Sequence, residues 1–198
     1  MRGRLRYYPN MARPKSPEKR KAIVDSAVRA IAQAGLSAST AAIAKGAGIA
    51  EGTLFTYFAS KDELCNALYL ELKSETYARI NAGFPHGARL RERARHIWTQ
   101  ALAWAIERPE ARKASMQLNL SEIITAETRG RLVGDRQAVD EAMGEVSRRG
   151  AFEGMPAGFA SSVMSALQQA VLETIAGHPK ERSALVEAGF DAFWRMSK

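Results

Sequence analysis

Only one cysteine, Cys65, and three histidines occur in the 198 residues. A lone thiol excludes an intramolecular disulfide and fits a reducing, cytoplasmic setting. His86, His96 and His178 are scattered and share no metal-ligand spacing with Cys65 or with a carboxylate cluster, so no metal site is expected. No apolar run approaches the length of about 20 residues that a membrane span needs. Residues 1–10 are basic but have no apolar stretch behind them, which sets a secretory signal aside. Gly46, Gly48 and Gly52 do not form a phosphate-cradling loop, and no cofactor is expected. Clean two-residue alternation, internal repeats and low-complexity segments are also missing.

What is present is apolar content and a lopsided charge. Hydrophobic residues make up 46% of the chain, enough to bury a sizeable core. The net charge is +8, and residues 1–21 carry almost all of it, with eight basic side chains against Glu18 alone. A near-neutral body with a basic front end suits a polyanionic partner; a solvated tail and a membrane-touching tail are the alternatives. The segment from Met11 (MARPKSPEKRK) also reads as a natural start, and the basic bias survives if the first ten residues are an upstream extension.

The periodicity is helical nearly throughout and predicts an all-α chain of about nine helices. Ser16-Pro17-Glu18 opens the first, with Ile23, Val24, Ala27, Val28 and Ile31 on one face and Gly35 at the end. Short helices are expected from about Ser39 to Ala47 and from about Ala50 to Phe58, joined by a turn at Gly48 where a positive φ is needed. Ser60-Lys61-Asp62-Glu63 reads as a capping box starting a longer fourth helix. Later helices are expected at about 90–108, 109–121, 126–149, 157–176 and 180–196, broken by Pro109, Gly150 to Gly158, and Gly177-His178-Pro179.

Two short helices joined by a tight glycine turn form the unit that presents its second helix to the major groove. Its run here is Gly35, Thr40, Ile43-Ala44, Ala47-Gly48, Gly52-Thr53-Leu54-Phe55, Tyr57-Phe58 and Ser60-Lys61-Asp62-Glu63-Leu64. This pattern, over roughly residues 16–70, resembles the TetR family of one-component regulators. Two positions depart from it. Ala50 stands where the family often has a serine cap, and Phe55 replaces the commoner tyrosine, removing a hydroxyl that would bond phosphate.

The resemblance implies a basic, disordered arm over residues 1–15, a helix-turn-helix domain over 16–62, and a ligand-binding and dimerisation body over 63–198. It also implies base contact by Glu51, Gly52 and Thr53, and phosphate contact by Thr40, Tyr57 and Lys61, with Lys45 a further candidate. Glu51 is equally explained by the helix dipole; for Lys61 the motif favours phosphate contact over an ordinary solvated lysine. Arg13 and Lys15, with Lys19 and Arg20, would touch backbone or an adjacent minor groove. In the body, Trp98, Trp104, Met116, Leu120, Met143 and Phe159 are candidate ligand walls or plain core, and Arg112, Gln117 or Asn119 could orient a polar ligand. Val163, Leu167, Val171, Phe190, Phe193 and Trp194 are candidates for a homodimer interface or for the protomer's own core.

The expected function is sequence-specific transcription regulation, most simply as a repressor released from a palindromic operator by a small molecule. A ligand-responsive activator or an effector-less DNA binder shares the fold. A basic helical scaffold fits the helix-turn-helix run poorly, and no residue constellation suggests an enzyme.

Overall fold

The computed structural model describes residues 15–198, and every described regular element is helical. In chain order these are α1 (Pro17–Ala34), α2 (Thr40–Gly46), α3 (Glu51–Tyr57), α4 (Lys61–Asn81), α5 (Leu90–Glu107), α6 (Pro109–Asn119), α7 (Ala126–Gly130), α8 (Gln137–Val146), α9 (Phe159–Gly177) and α10 (Arg182–Met196). Ten helices replace the expected nine because the stretch from 126 to 149 is two helices, not one. Gly130 and Gly134 lie at the break, and glycine within a helix costs about 1 kcal/mol relative to alanine.

Local chemistry sets the ends of the first four helices. The Ser16 hydroxyl accepts the Lys19 N–H, and Pro17 occupies the first turn, where a missing N–H loses nothing. Gly35 closes α1 at φ 63°, with its N–H on the Ile31 carbonyl. Ser39 caps α2 as Ser16 caps α1, its hydroxyl accepting the Ala42 N–H, and Gly48 makes the following turn at φ 68°. Ser60 caps α4 by accepting the Glu63 N–H, but the reciprocal bond goes one residue early: the Glu63 carboxylate takes the Ala59 N–H at 2.7 Å. Ala50 before α3 supplies no side-chain cap.

Two apolar clusters hold the chain together. The first gathers Ile23, Val24, Ile31, Ile43, Leu54 and Phe58 of the head with Leu64, Leu68 and Leu72 of α4. It also takes Trp104 of α5 and Ala111, Ala114 and Leu118 of α6, so α1 lies directly against α6. The second cluster, built on Trp98, Phe152, Phe190 and Phe193, joins α5, α8, α9 and α10. Through Ile80 near its end, α4 reaches this cluster as well, and it is therefore common to both. Arg20 of α1 pairs with Glu71 of α4, and Arg108 with Glu75 at 2.7 Å, but such exposed pairs contribute little individually. Among the described residues, no helix is long and apolar enough to cross a membrane.

Candidate nucleic-acid interface

Neither α2 nor α3, at seven residues each, is long enough to be stable in isolation, so their placement comes from packing on α1 and α4. Ile43 and Ala44 of α2 and Leu54 of α3 are all buried. Ser26, a polar residue inside the apolar face of α1, donates its hydroxyl to the Ile43 carbonyl at 2.8 Å. Gly46 is the complement to Ser26, since a Cβ there would collide with that hydroxyl. The sequence signal for this contact was the serine lying between Ile23 and Ala27, and the sequence reading passed over it.

The packing leaves one side of α3 outside. Glu51, Gly52, Phe55 and Thr56 are exposed, whereas Thr53 and Tyr57 are half-buried and Leu54 is fully buried. The backbone at Gly52 is open to approach, because an added Cβ would meet nothing within 4 Å. Around this surface lie the predicted polar contacts, several already engaged. Thr40, half-buried at the start of α2, donates its hydroxyl to Glu51 Oε1 at 2.5 Å. This bond spans the turn and ties the beginnings of α2 and α3 together. Lys61 at the start of α4 donates its ammonium to the Leu36 carbonyl at 2.5 Å. Lys45, in the last turn of α2, is exposed.

Tyr57 accepts the Ser16 N–H at its phenolic oxygen, 3.0 Å away. The Lys15 ammonium sits 6.0 Å from the same ring. The chain therefore enters α1 beside the C-terminal end of α3, which puts the root of the basic segment next to the exposed helix. Arg13 and the rest of the arm expected over residues 1–15 lie outside the described residues, apart from Lys15.

In the body, the six candidate ligand walls are not gathered round one void. Trp98 and Met143 belong to the second cluster and Trp104 to the first, while Met116, Leu120 and Phe159 are exposed. The Trp98 indole donates to the Val186 carbonyl at 3.0 Å; the buried Trp104 indole N–H has no acceptor among the described residues. Arg112 donates to Gln169 on α9 at 2.7 Å, and Asn119 contributes its carbonyl to Arg129. An open cleft of about 470 Å³ lies elsewhere, between α1 and the α5–α6 corner, bordered by Asp25, Arg29, Glu107 and Arg108.

The candidate interface residues divide likewise. Val163 and Leu167 are half-buried on α9. Phe190, Phe193 and Trp194, together with Val171, are inside the protomer's own cluster, because α10 packs on both α9 and α5. Lys73 on α4 is a feature the sequence reading missed. Its ammonium lies 5.6 Å over the Tyr69 ring, which also carries the Arg129 guanidinium at 5.3 Å. Burial, reinforced by the Arg129 charge, lowers the Lys73 pKa from 10.5 to about 8.

An all-helical chain whose head exposes the second helix of a helix-turn-helix defines a DNA-binding regulator. Residues 23–68 match the sequence model of the family described as bacterial regulatory proteins, tetR family. Over 89% of this chain and 96% of the other, the fold matches a tetR family transcription regulator from Shewanella sp. PV-4, with a TM-score of 0.75 and 27% identity. A TetR family transcription regulator from Marinobacter aquaeolei VT8 gives a TM-score of 0.77 at 23% identity, covering 90% and 95% of the two chains. The TetR-like regulator LfrR from Mycobacterium smegmatis, solved in complex with proflavine, gives 0.63 at 21% identity, covering 89% and 95%. The resemblance in the sequence is thus matched at two levels: residues 23–68 fit the tetR family's helix-turn-helix model, and the fold of the described residues is similar to that of TetR family transcription regulators. Regulators of that family are non-enzymatic transcription factors.

Proposed function

We propose that this chain is a cytoplasmic repressor that grips a palindromic operator as a homodimer and is released by a small molecule. The observation that carries the reading is the exposed side of α3, Glu51, Gly52, Phe55 and Thr56, on a short helix held in place by the buried Ile43, Ala44 and Leu54. Thr53, with Glu51 and the bare backbone at Gly52, meets base edges. Thr40, Lys45, Tyr57, Lys61, Lys15 and Arg13 hold phosphates on either side. Thr40 and Lys61 each exchange an internal acceptor for a phosphate oxygen on binding.

Two heads about 34 Å apart read successive major grooves on one face of the duplex. The dimer forms through the outward sides of α9 and α10, with Val163 and Leu167 at the edge, since Phe190, Phe193 and Trp194 are occupied within the protomer. The ligand enters the body between α4, α5 and α6, where the unpartnered Trp104 N–H offers a donor. LfrR supports this in kind, as its complex holds proflavine. Because α4 belongs to both clusters, a ligand that displaces it changes the separation of the heads. Release requires the ligand to prefer the displaced state by several kcal/mol.

Fluorescence anisotropy against DNA from upstream of the chain's own gene, with random DNA as control and at two salt concentrations, tests the DNA-binding reading. Saturable binding with a large preference over random duplex supports it, and weak binding to both that vanishes with salt counts against sequence reading. A transcription reporter run with and without candidate ligands separates repressor from activator.

A further inference from the structure

On the outward side of α3 one Glu51 carboxylate oxygen and the Thr56 hydroxyl are engaged within the protein, and apolar groups stand beside them. The Glu51 carboxylate accepts the Thr40 hydroxyl. The Thr56 hydroxyl turns back to the Thr53 carbonyl at 2.7 Å, which leaves the methyl as the outward feature of this exposed residue. Gly52 adds no side chain and leaves open space above the helix. Beside them Phe55 is 43% exposed, the one large apolar side chain exposed in the head among the described residues.

Phe55 is not needed by the fold. Leu54 of this helix and Phe58 just after it fill the core, and the Tyr57 hydroxyl holds the start of α1. A single exposed apolar residue on a protein surface calls for no explanation. Here, though, a phenyl ring, a methyl group and a bare glycine lie within one turn of each other on the helix offered to the major groove. The base edges in that groove present hydrogen-bond donors and acceptors, with one apolar feature among them, the C5-methyl of thymine. A phenyl ring on this face suits that feature, beside the hydrogen-bonding groups of Glu51 and Thr53.

We propose that Phe55, together with the Thr56 methyl, reads thymine methyl groups, so that half-sites are selected by where thymine stands as well as by hydrogen bonding through Thr53. This rests on α3 being the recognition helix. To test it, duplexes bound by the full chain are selected from a randomised library. Each thymine of the selected site is then replaced singly by deoxyuridine, which keeps the hydrogen-bonding edge and removes the methyl alone.

Binding should weaken about fourfold at one or two positions per half-site, the effect of one buried group of methyl size. Phe55→Ala should abolish the thymine–uracil difference at those positions while keeping the melting temperature of the parent. Phe55→Leu, a second variant that retains apolar bulk, should leave a reduced difference. Indifference to uracil at every position overturns the proposal, as does an undiminished difference in either variant. Failure to enrich any sequence is a separate result: it overturns the recognition-helix reading, and the proposal with it.

Discussion

In the head, α1 to α3 bury alanine, valine, isoleucine and leucine, with Phe58, just after α3, as the largest buried side chain. The body fills its centre with Trp98, Phe152, Phe190 and Phe193, each at most 2% exposed. The head is fitted by close backbone approach, as where Gly46 passes the Ser26 hydroxyl, and by turns such as Gly48 that favour glycine. The body is fitted by aromatic bulk, as where Gly189 of α10 leaves room for the Trp98 ring. The same all-helical architecture is thus specified in two ways. Small residues and caps fix the head's geometry, while large interlocking rings fix the body's.

The largest expected effect tests the body. Phe193→Ala should lower stability by about 3–5 kcal/mol in urea unfolding, and a loss below about 1 kcal/mol would show that the rings are not tightly packed. In the head, Gly46→Ala should lower stability by about 1–3 kcal/mol, because the new methyl overpacks against Ser26. Repeated in a Ser26→Ala background the loss should shrink, since only the Ser26 Cβ, 3.6 Å from the new atom, remains in contact. Equal losses in both backgrounds would remove close approach as the cause.

Lys73 gives a smaller effect of opposite sign. Its folded pKa of about 8 lies below the ordinary 10.5, so the protonated form is disfavoured by folding. Below pH 8 the penalty is complete, and between 8 and 10.5 the unfolded chain holds more protons, so stability rises with pH. Lys73→Met should therefore be more stable at pH 7, by on the order of 1–2 kcal/mol. The difference should fade as pH approaches 10.5, as followed by thermal melts. An unchanged difference across that window would mean that the ammonium is well solvated. Smallest is Lys61→Ala, which should weaken binding to all duplexes alike and reduce the salt slope by about one. Loss confined to one sequence would instead make Lys61 a base reader.

What could be read in advance follows the same division. Ser16, Gly35, Ser39, Gly48 and Ser60 mark their turns because each acts on backbone within four residues, and a local rule finds them. The Thr40–Glu51 bond and the Tyr57–Ser16 bond join residues 11 and 41 positions apart, and no spacing rule announces them. In the body, helical periodicity located the apolar side chains without saying what each one faces. Phe190, Phe193 and Trp194 pointed to an interface more than to a core, and the contact of α10 with α5 buries them within the protomer. The break between α7 and α8 was legible in Gly130 and Gly134 but outweighed by the apolar pattern on either side.

The seam where α1 rests on Ala111, Ala114 and Leu118 of α6 has a consequence for genetics. A screen for alleles that lose control of a target promoter should return substitutions at these three positions beside those on α3, although all three are buried. The two kinds of allele would look alike on a plate. They would part company on heating, the α6 alleles melting early and the α3 alleles melting with the parent.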